Sequence, residues 1–183
     1  KKSLQFIQDA RKKQTNIYST VSYLNLVADH SMLEGFDSNF KVTPPLRLPS
    51  DSRDLFNAVK KGRIDAIISN HVPLESEKKF LEFPYATPGA IGLETCFSAL
   101  NSRYDDQLEV IVNALSVGPR RILNIPVPMI KTGVKANLTI FDPDMEWTYD
   151  KTASLSDNSP YIGTTFKGKA IAIINGSKFH ISK

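Results

Sequence analysis

One cysteine, one tryptophan and three histidines are spread over 183 residues. With Cys96 alone no internal disulfide can form, which fits a reducing compartment. Its surroundings, "LETCFSAL", are apolar, and there a small buried residue is the usual occupant and a nucleophile the rare one. No apolar run approaches the length that spans a bilayer, and no signal-peptide pattern is present. A soluble, cytoplasmic protein with no membrane partner is therefore expected. There is no HxH or HxxxH pair, no glycine-rich phosphate loop and no GxSxG, so local spacing defines no metal, nucleotide or serine-hydrolase site. Charge is nearly balanced, with 23 basic against 19 acidic residues. The short basic clusters Lys1-Lys2, Arg11-Lys12-Lys13, Lys60-Lys61 and Arg120-Arg121 fall on expected helices. They lack the interleaved aromatics of a nucleic-acid platform, so no nucleic-acid partner is expected.

What is present is the composition of a folded domain: 41% hydrophobic and 23% charged residues, an ordinary globular balance. The chain opens without Met, already inside an amphipathic stretch, "KKSLQFIQDARKK". Leu4 and Ile7, with Phe6 and Ala10 beside them, form its expected apolar face. It reads as part of something longer. "NIYSTVSYLNLVA" (16–28) is rich in β-branched and aromatic residues and predicts a strand with its exit loop. "NFKVTPPLRLP" is extended, because Pro44 and Pro45 prevent helix. "SDSRDLFNAVKKGR" predicts a helix capped by Ser50 or Ser52, with Leu55, Ala58 and Val59 inward and Gly62 at its end. A buried strand, 64–69, follows at once. This α-β-extended-α-β rhythm belongs to parallel sheets and barrels.

A long loop, 70–92, then carries Pro73, Pro84, Pro88 and Gly89. Loops of that length inside a compact domain are often functional. Two helices are expected over "IGLETCFSALNS" and "DDQLEVIVNALSV", and a short third over "GPRRILNI", with Pro119 in its first turn. Beyond a boundary near Pro126–Pro128 the pattern turns strand-rich, in "KTGVKANLTIFDPD", "EWTYD" and "FKGKAIAIINGSKFHIS". Asn175-Gly176 is a strong hairpin signal. Residues 1–125 and 126–183 are thus expected as two segments.

Of the histidines, His30 lies in a loop and His180 in the terminal hairpin, expected to be exposed. His71 alone stands at the end of a buried strand, where α/β enzymes place their chemistry. The residue before it is Asn70. Glu94 is expected to open a helix, where it favours the helix dipole without a catalytic role.

Five stretches together resemble the carboxyl-terminal half of dihydroorotases, in the amidohydrolase superfamily. They are "NFKVTPPLR" (39–47), "GRIDAIISNHVP" (62–73), "GAIGLET" (89–95), "ANLTIFDPDMEWTYD" (136–150) and "NSPYIGTTFKGKAIAIINGSKF" (158–179). The resemblance implies an α/β fold, the carboxyl-terminal part of a metal-dependent (β/α) TIM-like barrel, with a small antiparallel β-sandwich segment. It also implies zinc-dependent opening of the cyclic amide of dihydroorotate, or its closure from carbamoyl aspartate, in pyrimidine biosynthesis. The family's strand-end Asp, a metal ligand and proton shuttle, matches Asn70. Its following His is kept as His71. The last His of the same motif matches Leu74, the substrate-side Asn of NPPLR matches Thr43, and the paired His of TPHH match Leu24-Asn25, with Tyr23 in place of the Pro. Gly89 holds a matched position in the loop. Pro44, Pro45, Arg47, Gly92, Leu93 and Glu94 are kept.

Positions that shape the fold match, whereas positions that do the chemistry mostly do not. Degenerate catalysis is therefore expected: Asn70 in place of the catalytic carboxylate, substrate positions Thr43, His71, Leu74 and Gly89 largely altered, no intact metal ligand set, and no zinc held by this chain. The rival expectation is an active zinc-dependent cyclic amidohydrolase whose metal ligands lie upstream. Partners expected on the same grounds are the amino-terminal half of the barrel and an aspartate transcarbamoylase-like protein or a second copy. A half-barrel alone leaves strand edges unpaired and inner helix faces bare.

Overall fold

A computed structural model describes residues 2–181; Lys1 of the first basic cluster and Ser182 of the last expected strand lie outside the described residues. Helix α1 (Lys2–Lys12) turns Leu4 and Ile7 toward the protein. Phe6 does not share that face and is 71% exposed, because two residues along a helix is about 200° around it. The helix is anchored at its end. Arg11 donates to the carbonyls of Ile17 (3.2 Å) and Arg63 (3.3 Å) and pairs with Asp65. Asp65 also accepts from the Ser19 amide at 2.7 Å, so one carboxylate ties α1 to the starts of both following strands.

Strands β1 (Thr20–Ser22) and β2 (Ala66–Ile68) run parallel, with Val21 opposite Ile67. Both are shorter than their apolar patterns. Each has a hydrogen-bonded neighbour on one edge only among the described residues, and ladder pairing defines a strand's extent. Past Ser22 the chain bends into α2 (Leu24–Val27), which buries Leu24 and Leu26. The expected exit loop is thus a helical turn, driven by this apolar pair.

The β1-to-β2 crossover runs through a 3₁₀ turn at Ser38–Phe40 and helix α3 (Pro49–Lys60). Neither Ser50 nor Ser52 caps α3. Leu48 is the extended N-cap and Pro49 takes the first turn, where its missing N–H costs nothing. Ser52 instead donates to the Ala28 carbonyl at 3.2 Å. The buried stripe is Ser52, Phe56, Ala58 and Val59, with Leu55 half-buried. Phe56 stacks on Tyr104 with ring centroids 3.6 Å apart. Gly62, at φ +63°, ends the helix.

Helix α4 (Ser76–Lys79) interrupts the long loop, and α5 (Cys96–Arg103) begins two residues after Glu94. Glu94 therefore does not open a helix. The two helices expected next are one continuous run: α6 (Leu108–Val112), a π-helical turn (Asn113–Val117) and α7 (Gly118–Ile122). Pro119 sits inside this run. It has no N–H for the carbonyl four residues back, and its ring crowds that carbonyl. Widening the preceding turn to i→i−5 bonding, as the Gly118 amide does on Asn113 O, relieves both. Gly118 also meets the start of β2. A Cβ there would lie 2.1 Å from the Asp65 carbonyl oxygen.

The remainder is an antiparallel sheet in the order β3 (Asn137–Tyr149), β4 (Thr164–Asn175), β5 (Lys178–Ile181). The stretches ending "FDPD" and beginning "EWTYD" form one strand, irregular between Asp142 and Glu146, because Pro143 cannot donate to a ladder. The Asn175-Gly176 turn joins β4 to β5, with Gly176 at φ +63°. Helix α5 clasps this sheet. Ser98 donates to Gly168 O at 2.6 Å, and Asn101 donates to Pro143 O at 2.8 Å and Lys167 O at 3.0 Å.

Gly118→Ala is expected to lower unfolding free energy by about 3 kcal/mol, the upper end of overpacking costs. Gly35→Ala, which meets nothing within 4 Å, should stay within about 0.5 kcal/mol; paired urea titrations distinguish the two.

Candidate functional site

Asn70 follows the end of β2 with φ +46°, in the left-handed region that asparagine tolerates better than most residues. Its amide nitrogen donates to the Thr43 carbonyl at 3.1 Å. Across the sheet, just past β1, Asn25 donates to the carbonyls of Pro44 (3.3 Å) and Pro45 (3.1 Å). Two asparagine amides thus hold one loop, 43–45, against the ends of both parallel strands. A carboxylate accepts and cannot donate, so Asp at position 70 could not make this bond. Both asparagines, with Ser22, Pro44, Pro45 and Arg47, line a groove of about 580 Å³ that continues along β1 to α1. The Ser22 hydroxyl is buried there and has no hydrogen-bond partner among the described residues.

The other expected site residues lie apart from this groove. His71 bridges to Ala90, and its Nδ1 accepts the Gly92 amide at 3.1 Å, with the Leu93 amide at 3.4 Å. The proton of the neutral ring is then on Nε2. Leu74 and Gly89 meet at a different point, the buried Asn158. Asn158 Oδ1 accepts the Leu74 amide at 3.1 Å, and Nδ2 donates to Val72 O at 2.9 Å and Gly89 O at 3.3 Å. The main-chain oxygen of Asn158 accepts the Ile91 amide at 3.1 Å. Leu24 is 1% exposed, inside the apolar core, and contributes nothing to a polar site. Glu94 accepts from the Thr152 hydroxyl (2.7 Å) and the Ala153 amide (2.9 Å), tying the segment before α5 to the one after β3.

The zinc implied by the sequence resemblance does not fit these positions. Leu24 offers no donor atom, Asn70 offers only a neutral amide oxygen beside the nitrogen bound to Thr43, and His71 Nδ1 is taken by the Gly92 amide, which leaves Nε2 alone. Among the described residues no three His, Cys, Asp or Glu side chains converge as metal ligands. No helix among them is long and apolar enough to cross a membrane.

No protein-family model matches the chain. Individual proteins do. It is 37% identical to the dihydroorotase of Geobacter metallireducens and 30% identical to that of Bacillus subtilis, over 97% of its length in both cases. The chain belongs to the dihydroorotase family, as its carboxyl-terminal part. It spans 43% of the length of each of these two dihydroorotases. Solved structures share the fold. The L-hydantoinase (dihydropyrimidinase) of Arthrobacter aurescens superposes with a TM-score of 0.88 at 22% identity, over 98% of this chain and 42% of that one. The inactive dihydroorotase-like domain of the Chaetomium thermophilum CAD-like multifunctional protein gives 0.68 at 14% identity, over 96% and 47%.

Two of the residues that organise this dihydroorotase-family segment escaped the sequence reading. Asn158 stood in a quoted stretch, "NSPYIG", with nothing local to mark it as a long-range clip. Lys79 looked like one charge among several in "ESEKKF", yet it is 5% exposed and donates to the carbonyls of Ser38, Thr87 (3.1 Å) and Gly89 (3.0 Å). Burial holds its ammonium below the usual lysine range.

Asn158→Ala leaves the Val72 carbonyl and the Leu74 amide without their clip. An expected loss of about 3 kcal/mol follows from unmade buried hydrogen bonds. Hydrogen exchange should quicken at the Leu74 amide and stay slow at Ile67.

Proposed function

We propose that this chain is the closing part of a dihydroorotase-like (β/α) barrel whose catalytic positions have been converted to structural ones. Its role is then to complete the fold and support a partner, not to turn over substrate. The observation that carries this reading is Asn70. The matched position in the family is a carboxylate that moves a proton at the strand end. Here the side chain is an amide whose nitrogen is bonded to a backbone carbonyl. A neutral amide does not act as a general base, and general-base help contributes about 10²–10⁴-fold. Leu24, buried where the family pattern has histidine, points the same way. The fold neighbour described as inactive is a precedent for such a protein.

A second reading is favoured by the relatives named dihydroorotase, one of them 37% identical. In it the parent protein is active, metal is held by residues upstream of this chain, and another group takes the proton. The intact protein should be assayed in both directions between carbamoyl aspartate and dihydroorotate with added zinc. No turnover above background is expected. Zinc-dependent turnover that survives purification would overturn the degenerate reading in favour of the second.

The same proposal fixes what the chain needs around it. The groove along β1 leaves the outward backbone groups of Thr20 and Ser22 available for another strand, as a barrel interior requires. The relatives' further length would supply that strand, and an aspartate transcarbamoylase-like protein or a second copy could cover other faces. The isolated 183-residue chain is expected to self-associate or unfold without cooperativity. A sharp monomeric peak by size exclusion with light scattering, melting in one transition, would contradict this.

A further inference from the structure

We propose that the carbonyl oxygens of Ser38, Thr87 and Gly89 form a site for an ammonium-type cation, which Lys79 fills with its own tethered head group to lock two loops together. Lys78 and Lys79 stand side by side at the end of α4. Helical neighbours point about 100° apart, so the two lysines meet different surroundings. Lys78 is exposed and lies 3.9 Å from Glu75. Lys79 is buried. A buried lysine is usually paired with a carboxylate. The hydrogen bonds of Lys79 go instead to three main-chain carbonyls, Ser38 O, Thr87 O at 3.1 Å and Gly89 O at 3.0 Å.

The donor count requires the charged form. An ammonium group has three N–H donors and no acceptor. A neutral amine has two, and its lone pair would face the third carbonyl oxygen. Burial and the nearby Lys41 work against the charge, and Asp37 works for it. The three carbonyls add to the favourable side, because hydrogen bonds from an ionised donor are about twice as strong as neutral ones. Without the cation, three inward oxygens would lose their partner, and an unmet buried carbonyl is costly.

The walls of the site have bonds of their own. Ser38 belongs to the 3₁₀ turn of the β1-to-β2 crossover, and its hydroxyl donates to Lys79 O at 2.9 Å. The Gly89 amide donates to Lys41 O at 2.8 Å, and the Thr87 amide to Lys78 O at 2.9 Å. These bonds keep the three oxygens near one another when the head group is removed, so a free ammonium ion can take its place. Carbonyl oxygens held in a ring substitute for a cation's water shell. Tethering gives the lysine head group a high effective concentration at the site. The crossover and the long loop are therefore locked whatever ions the solution holds.

The test uses the intact protein that carries this chain and follows hydrogen exchange at the amides of Thr87, Gly89 and Ile67. In Lys79→Ala, exchange at Thr87 and Gly89 is expected to quicken about tenfold, as for one unmet buried hydrogen bond, with Ile67 unchanged. Ammonium chloride should restore most of the lost protection. Tetramethylammonium chloride, which has no N–H, should restore none. Lys79→Met keeps a stem without the charge and should exchange as fast as Lys79→Ala, with no gain from ammonium. Unchanged exchange in Lys79→Ala or protection kept in Lys79→Met would overturn the proposal. No recovery with ammonium, or equal recovery with tetramethylammonium, would overturn it too. Free exchange at Ile67 as well would mean that the variant has unfolded, and the wild-type protein then decides. Proton-coupled nitrogen-15 spectra of Nζ-labelled lysine should show a solvent-protected NH₃⁺ quartet at neutral pH, and its absence would overturn the proposal.

Discussion

One amide side chain holds together parts of the molecule that are far apart in sequence. Asn158 lies beyond the third strand of the chain, yet its side chain closes the backbone of the loop that follows the second. Inside a protein an unmet amide or carbonyl is costly, so a residue with both donor and acceptor at one buried point can settle several at once. Because Gly89 O also takes the Lys79 ammonium, the clip and the lysine act on the same turn. The His71 bridge to Ala90 and the Gly92 amide on His71 both depend on that turn staying where it is.

The ends of the parallel strands show a comparable economy with a different result. Here the nitrogens of Asn25 and Asn70 are bound to the carbonyls of the segment they face. The groove beside them is polar at one end and apolar toward α1, and it borders a strand edge that is unpaired among the described residues. Its shape belongs to assembly as much as to ligand binding.

Much of this was legible in the order of residues. The parallel pair, the helix between its strands, the glycine at that helix's end and the Asn175-Gly176 hairpin all follow from periodicity and turn chemistry, which are local. The misses share a cause. Phe56 was overlooked because several apolar residues in α3 compete for the inner face, and only the position of Tyr104 decides among them. Pro119 reads as a helix start by every local rule, while packing of α7 against β2 keeps the helix going through it. Of the site, Asn70 and His71 were visible at their strand end. Asn158 and Lys79 were not, because a long-range hydrogen bond leaves no spacing behind.

The left-handed backbone at Asn70 bears on how this segment could change over generations. Aspartate accepts that conformation about as readily as asparagine, and the two are one nucleotide apart in the genetic code. Asn70→Asp would lose the bond to the Thr43 carbonyl and set a second acceptor against it, at a cost of about one hydrogen bond or more. Leu24 is a different case. Histidine in its place would put a ring with two polar nitrogens into the apolar core, among side chains that have closed around a leucine. A substitution toward the family pattern is thus less costly at position 70 than at position 24.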